Sequence, residues 1–188
     1  MICGLDEAGR GPLAGPVCAA AVILPVSFPR EILNDSKKLT AAKREHARSI
    51  ICTQAAAWGI GWASPAEIDT INILQASLLA MQRAFEDLTI RYPAEAVKEG
   101  LAAIVDGLFS PDIPIACTPM VKADARVPEV MAASILAKTA RDCMMRCYSW
   151  LYPEYGYEQH KGYPTKAHRE AVLKYGPSPI QRVTFRVK

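Results

Sequence analysis

The sequence lacks several features that would place it in a specialised class of protein. No apolar run reaches the roughly 18 residues that a membrane span requires, so we expect no membrane association. The opening residues, MICGLDEAGR, lack the cationic region and long apolar stretch of a secretory signal. Internal repeats and low-complexity tracts are absent as well. We therefore expect a cytoplasmic protein with one compact domain over its 188 residues.

Cysteine chemistry also has little support. The six cysteines contain no CxxC pair, which favours reduced, buried thiols that act as small hydrophobic side chains. Cys143 and Cys147 have helical spacing, but together with His160 and His168 they match no recurring zinc pattern. The histidines are interpreted as structural: His46 and His168 on helix surfaces, and His160 at a turn.

Positive charge is scarce in most of the chain and concentrated near its end. Residues 138–188 contain 10 Lys/Arg against 4 Asp/Glu, whereas the whole sequence has 22 against 19. A basic surface of this kind suits a polyanionic partner, although a solvated basic helix face is the simpler explanation of a charge cluster taken alone.

The hydrophobic pattern predicts a mixed α/β domain. Thr40 and the Ser64–Glu67 pair are N-cap signals, and proline at residue 128 marks a further helix start. The prolines in 113–121 place that strand at a sheet edge, and continuous apolar character predicts that 101–107 is buried on both faces. Strands are expected within 1–5, 16–24, 56–63, 101–107 and 113–121, and helices after Thr40, after Ser64, over 128–150 and over 165–174. An apolar helix stripe is formed by Leu74, Leu78, Met81, Phe85 and Leu88.

Four acidic residues lie where strands end or helices begin. Asp6 and Glu7 end the first strand, Asp106 ends the fourth, and Asp124 precedes the helix over 128–150. If those two strands are adjacent, the four carboxylates meet, and their repulsion then requires cations such as Mg²⁺, which prefers oxygen ligands. Two such ions about 3.5–4 Å apart support phosphodiester hydrolysis. Singly, each acid has a simpler explanation, as a turn residue, a helix cap or an exposed side chain.

Several motifs in a fixed order together resemble the ribonuclease HII family. The DEAGRGP form is similar to type HII rather than to its HIII relative, whose corresponding segment is of the DESGK type. GRGPLAG also lacks the GK[ST] ending of a nucleotide-binding P-loop. The matching segments are GLDEAGRGPLAGPV at 4–17, LNDSKKL at 33–39, EIDTINILQASLLAMQRA at 67–84, IVDG at 104–107, VKADARVPEVMAASILAKTARD at 121–142 and YGYEQHKGYPTKAH at 155–168.

The resemblance implies a ribonuclease H-like fold: a mixed five-stranded sheet flanked by helices. It also implies a single catalytic domain over 1–188, with 151–188 as an appended helical segment that binds substrate. Mg²⁺ or Mn²⁺ is the implied cofactor, with two ions during catalysis. By the same resemblance, the catalytic and metal-binding residues are Asp6, Glu7, Asp106 and Asp124.

The resemblance further assigns residues to the substrate. Gly9, Arg10 and Gly11 would approach the ribose 2′-hydroxyl at an RNA-to-DNA junction, since glycine allows close backbone approach. Tyr163 would stack on the sugar beyond the junction. The residues implied as phosphate contacts are Ser36, Lys37 and Lys38. Such contacts give affinity without reading the base sequence.

The implied activity is endonucleolytic hydrolysis of RNA in RNA/DNA hybrids, with cleavage 5′ to ribonucleotides embedded in duplex DNA. The products would carry a 5′-phosphate and a 3′-hydroxyl, and the implied roles are repair of misincorporated ribonucleotides and removal of RNA primers. Independently of the resemblance, we expect a monomer, because the sequence shows no exposed heptad pattern or large apolar surface patch. Two alternatives are a non-catalytic hybrid-binding module and a metal-dependent nuclease of DNA or general RNA.

Two positions depart from the family pattern. Ala123 replaces a glycine before the fourth carboxylate, and IQRVTF at 180–185 replaces a histidine-arginine-rich ending, which leaves the role of this tail open.

Overall fold

The centre of the computed structural model is a mixed β-sheet, as the sequence predicts. The structure describes residues 1–34, 36, 39–96 and 98–186. The strands in this part of the chain are β1 (Ile2–Ala8), β2 (Val17–Ile23), β3 (Ala57–Ala63), β4 (Ala102–Asp106) and β5 (Cys117–Met120). They form a five-stranded sheet of order β3-β2-β1-β4-β5. β1 is antiparallel to β2 and parallel to β4, so the first and fourth strands are neighbours.

The helices begin at the cap signals identified in the sequence. Thr40 accepts a hydrogen bond from the Lys43 backbone N–H at 3.3 Å, and Ser64 and Glu67 form a reciprocal capping box. Helices in the described residues are α1 (Ala41–Gln54), α2 (Pro65–Arg91), α3 (Pro93–Ala96), α4 (Pro128–Leu151), α5 (Tyr157–His160) and α6 (Lys166–Tyr175), with 3₁₀ turns at Arg30–Ile32, Ala123–Ala125 and Pro153–Tyr155.

Asn72 divides α2 into a short turn and a longer helix. Its φ of 65° is non-helical, and its side-chain oxygen accepts hydrogen bonds from the backbone N–H groups of Leu74 at 3.0 Å and Gln75 at 3.2 Å. Asn72 therefore acts as the N-cap of the second part of α2. The helix predicted after Ser64 therefore consists of a short first part and a longer second part.

Helices cover the two faces of the sheet. α2 packs on one face, where Met81, Phe85 and Leu88 are buried, Leu78 packs against this cluster, and Leu74 is half-buried. α1 and α4 pack on the other face around alternate residues of β2. Burial of each large apolar side chain contributes about 1.5–3 kcal/mol, so the predicted stripe forms a substantial part of the core.

Two expectations about burial are wrong. β4 is not buried on both faces: its residues alternate between half-buried and buried, since α4 lies mainly over β1 and β2. All six cysteines are free thiols, but they are not all buried: Cys143 and Cys147, in the C-terminal half of α4, are exposed. Among the described residues, no helix has the length and apolar character to cross a membrane.

Candidate active site

The parallel pairing of β1 and β4 brings carboxylates from distant parts of the chain together. Leu5 pairs with Val105, so Asp6 and Asp106 follow at the same edge of the sheet. Asp6 is buried, with 5% of its surface exposed. Burial raises the pKa of Asp6 well above its usual range, and the neighbouring carboxylates of Glu7 and Asp106 raise it further.

Hydrogen bonds fix the carboxylates in place. Asp6 accepts one from the Glu7 backbone N–H at 2.8 Å and interacts with the Ser134 hydroxyl of α4. Asp106 accepts one from the Ala123 backbone N–H at 2.8 Å, which ties the end of β4 to the 3₁₀ turn that contains Asp124. Ala123 is fully buried in this turn, so the residue that departs from the family pattern is accommodated without displacing the turn from Asp106.

The donor set fits hard divalent cations. Within the described ranges, no three His, Cys, Asp or Glu side chains are close enough to form a complete metal-binding group. Asp6, Glu7 and Asp106 nevertheless interact electrostatically, and Asp106 and Asp124 line one depression of the surface. Mg²⁺ retains water and binds through few carboxylates together with substrate phosphates, so an open set of oxygen donors suits such ions.

A second depression adjoins the carboxylates and contains most of the remaining predicted site residues. Arg10 lines both depressions, and its Nη1 lies 3.5 Å from Glu7 Oε1. We call the second depression the cleft; its lining residues are Glu7, Ala8, Gly9, Arg10, Gly11, Ser36, Ser134, Lys138 and Tyr163.

Residues 9–16, here called the glycine loop, pack closely on α4. Gly9 has a φ of +104°, and a Cβ at this position would lie 2.1 Å from Nε of Arg141. Arg141 is buried and donates hydrogen bonds to the carbonyls of Pro16 at 2.9 Å and Ala14 at 3.2 Å. Both the backbone conformation and the available space therefore require glycine at position 9.

Tyr163 stands across the cleft from the glycine loop. The Tyr163 side chain is 40% exposed. A Cβ at position 11 would lie 3.7 Å from Cε1 of Tyr163, so the ring faces Gly11 closely. Lys138 Nζ and Arg141 Cζ lie 5.9 and 6.0 Å from its ring centroid. The Gly162 carbonyl accepts a hydrogen bond from the Leu13 N–H at 2.8 Å, so the loop that carries Tyr163 and the glycine loop form one unit.

Of the three residues implied as phosphate contacts, only Ser36 is among the described residues. Ser36 lines the cleft, but it is buried, and its hydroxyl lies 2.8 Å from the Ser134 hydroxyl. Lys37 and Lys38 lie outside the described residues. Lys138, which the sequence analysis missed, supplies an amino group at the cleft; it pairs with Asp142 at 2.7 Å.

His168 is not the surface residue expected from its helical position. It is fully buried, its Nδ1 lies 3.0 Å from the Tyr163 carbonyl, and its ring stacks on that of His160 with centroids 4.5 Å apart. His160 accepts a hydrogen bond from the Gly162 N–H at 3.2 Å, so it has the structural turn role that was predicted. Burial lowers the pKa of both imidazoles.

Acid should destabilise the protein through these histidines. Because their pKa values are lowered on folding, the unfolded chain binds more protons just below the ordinary value of 6.5, and the free energy of unfolding falls as pH drops from there. We expect a smaller slope in His168→Gln than in the unchanged protein, measured by urea unfolding between about pH 7 and pH 5. His46→Gln, at an exposed position, serves as the control, and an equal loss of slope there would contradict the assignment.

The sequence analysis also missed two buried arginines and the role of the C-terminal tail, defined here as residues 177–186. Arg182 and Arg141 are almost fully buried. Burial lowers the pKa of Arg182 to about 9, and the nearby positive charge of Arg141 is a second, smaller cause of this shift. Arg182 contacts the glycine loop, so the tail has a packing role although its sequence departs from the family ending. A basic residue within an apolar segment was the only signal in the sequence.

The comparison with protein families decides the membership. The family model described as Ribonuclease HII matches residues 3–188. The chain belongs to the ribonuclease HII family. A curated Ribonuclease HII from Treponema denticola is 58% identical over 198 residues, covering 100% of this chain and 99% of its own. Membership confirms the resemblance to type HII and the expected enzyme class, an endoribonuclease of the ribonuclease H type.

Solved structures confirm the ribonuclease H-like fold. Ribonuclease H2 from Pyrococcus horikoshii OT3 is similar with a TM-score of 0.76 at 26% identity, covering 99% of this chain and 94% of its own. Bst-RNase HIII, solved in complex with Mn²⁺, has a TM-score of 0.76 at 18% identity over 99% of this chain and 67% of its own. The mixed five-stranded sheet flanked by helices therefore belongs to the ribonuclease H-like fold.

Proposed function

We propose that this protein hydrolyses the RNA strand of RNA/DNA hybrids and cuts 5′ to ribonucleotides embedded in duplex DNA. One observation carries the proposal: the buried Asp6 and its carboxylate neighbours lie beside a cleft lined by the glycine loop and Tyr163. The proposed metal site and the proposed ribose-reading surface are thus adjacent. Family membership supports the same activity.

The proposed metal ligands are Asp6, Glu7, Asp106 and Asp124. Bound Mg²⁺ or Mn²⁺, as two ions, would supply an activated water and stabilise the leaving oxygen, giving a 5′-phosphate and a 3′-hydroxyl. The chain itself holds the carboxylates: Ser134 orients Asp6, and the Ala123 N–H orients Asp106. Arg10 beside Glu7 places a cation at the border of the carboxylates and the cleft, where a substrate phosphate would approach.

The proposed selectivity depends on the ribose 2′-hydroxyl, the group that distinguishes RNA from DNA. Gly9, Arg10 and Gly11 would read it through their backbone, and Tyr163 would stack on the following sugar. Lys138 is added to the proposed phosphate contacts because it lines the cleft. We further propose that the protein repairs misincorporated ribonucleotides and removes RNA primers, and that it acts as a monomer in the cytoplasm.

Substrates that differ only in ribonucleotide content test the function. The duplex without ribonucleotides should stay intact, whereas the duplexes with one or several ribonucleotides in one strand should be cut 5′ to the ribose. Binding of all duplexes without cleavage in Mg²⁺ or Mn²⁺ would favour a non-catalytic module. Cleavage of the all-DNA duplex would favour a general nuclease.

Tyr163→Ala should weaken cleavage at a single ribonucleotide with little effect on folding. Stacking of an aromatic side chain on a base contributes about 1–3 kcal/mol; with a sugar contact of similar size, kcat/KM should fall by roughly 5- to 150-fold. Because Tyr163 is 40% exposed, the melting temperature should change by only about 2 °C. Tyr163→Phe retains the ring and is the matched control; an equal loss there would show that stacking is not the cause.

A further inference from the structure

The C-terminal tail reaches the glycine loop through a fully buried guanidinium group. Arg182 is 0% exposed. Its Nε donates to the Gly15 carbonyl at 2.8 Å, its Nη1 to the Arg10 carbonyl at 3.0 Å, and its Nη2 to the Gly9 carbonyl at 2.6 Å. One side chain therefore holds three carbonyls of a loop that lies more than 160 residues earlier in the sequence.

Backbone contacts fix the position of the tail relative to the loop. The Arg182 N–H donates to the Leu13 carbonyl at 2.8 Å, and the Gly15 N–H donates to the Ile180 carbonyl at 2.9 Å. On the far side, Asp69 of α2 accepts hydrogen bonds from the backbone N–H groups of Val183 and Thr184, each at 2.9 Å. The tail is thus attached both to the glycine loop and to a core helix.

Peptide geometry connects these carbonyls to the cleft. The described chain has no cis peptide bond, and in a trans peptide the C=O of one residue and the N–H of the next point in opposite directions. Since the carbonyls of Gly9 and Arg10 point toward Arg182, the N–H groups of Arg10 and Gly11 point away from it. Residues 9–11 line the cleft opposite Tyr163.

We propose that Arg182 is a positioning residue that sets the peptide orientation of residues 9–11 and thereby the preference for ribose over deoxyribose. The inference rests on the proposed function, because it assumes that these residues read the 2′-hydroxyl. The guanidinium has enough donors in one plane to hold three carbonyls, whereas a lysine ammonium cannot reproduce that planar arrangement. Arg141 holds the other end of the loop, through hydrogen bonds to the carbonyls of Ala14 and Pro16.

Binding selectivity tests the proposal without relying on catalysis. Dissociation constants are measured in EDTA for a duplex with one ribonucleotide and for its all-DNA counterpart, in the unchanged protein and in Arg182→Ala. We expect the ratio of the two constants to fall about tenfold in Arg182→Ala, which corresponds to about one lost hydrogen bond to the substrate. Arg182→Lys should give an intermediate ratio.

Two further variants separate positioning from general destabilisation. Arg83→Ala removes an arginine of α2 that also binds a backbone carbonyl, that of Trp62 at 2.8 Å, outside the glycine loop; the ratio of the two constants should stay unchanged. Asp69→Ala releases the tail without touching the loop and should lower the ratio in the same direction but less. If Arg182→Ala does not fold, as judged by thermal unfolding, Arg182→Lys and Asp69→Ala carry the test.

The outcomes distinguish this inference from the function on which it rests. Equal weakening of binding to both duplexes in Arg182→Ala or Arg182→Lys, with the ratio retained, would overturn the positioning role and leave the proposed function intact. A ratio near one in the unchanged protein would instead contradict the reading of the 2′-hydroxyl itself.

Discussion

Asp6→Asn should lose at least about a thousandfold in cleavage rate in Mg²⁺ or Mn²⁺, equivalent to about 4 kcal/mol of transition-state stabilisation. Asp6 is the most buried of the proposed ligands and interacts with both Glu7 and Asp106. An amide of the same shape retains a hydrogen bond from Ser134 or Glu7, but it does not provide the negative charge that a divalent ion requires.

The same variant should be more stable than the unchanged protein when divalent ions are absent. Folding raises the pKa of Asp6 above its ordinary value of 3.8, so the folded state holds the proton more tightly than the unfolded chain does. The resulting stability is present at low pH and is lost as pH rises through the folded-state pKa. At neutral pH, removal of this charge therefore relieves repulsion, and the melting temperature in EDTA should rise.

Divalent ions should reverse that order. An ion at 100 times its Kd stabilises a folded protein by about 2.7 kcal/mol, or roughly 5–10 °C for a chain of this length. The unchanged protein should show this shift in Mg²⁺ or Mn²⁺, and Asp6→Asn should show little of it. Asp87→Asn, a change on α2 away from the site, is the control. Full cleavage by Asp6→Asn, or an undiminished ion-dependent shift, would refute its role as a ligand.

Gly4→Ala should lower the free energy of unfolding by at least about 3 kcal/mol, or the melting temperature by roughly 6–12 °C. A Cβ on Gly4 would lie 2.1 Å from the backbone carbon of Glu129 and 2.3 Å from the backbone nitrogen of Val130. A flexible side chain could move aside, but the backbone of α4 moves only if the helix shifts away from β1. That shift would also separate Ser134 from Asp6, so cleavage should fall together with stability.

Gly11→Ala is the matched control for thermal unfolding. The nearest atom to its Cβ would be Cε1 of Tyr163 at 3.7 Å, an ordinary contact, and its φ lies outside the left-handed region. We expect a change within about 0.5 kcal/mol. Similar losses in the two variants would show that close packing of β1 on α4 is not what requires glycine at position 4.

Local signals in the sequence were sufficient for much of the fold. Helix starts at Thr40 and Ser64 followed from capping chemistry, and proline in 113–121 correctly placed β5 at the edge. These features depend on neighbouring residues alone. The prediction that β4 is buried on both faces was wrong. Burial of this strand depends on how far α4 extends across the sheet, and no local sequence pattern contains that information.

By itself, the sequence determined the chemical types at the site: acids at strand ends, a glycine loop, and a tyrosine in a basic, turn-rich segment. The family pattern added their roles as hypotheses. Tertiary structure decided which groups are neighbours. The parallel pairing of β1 and β4 places Asp6 beside Asp106. His168 is buried against the Tyr163 carbonyl, and Arg182 donates a hydrogen bond to the Gly9 carbonyl although the two residues are far apart in sequence. Long-range neighbours follow from strand order and helix packing, and side chains that share a site need not be close in sequence.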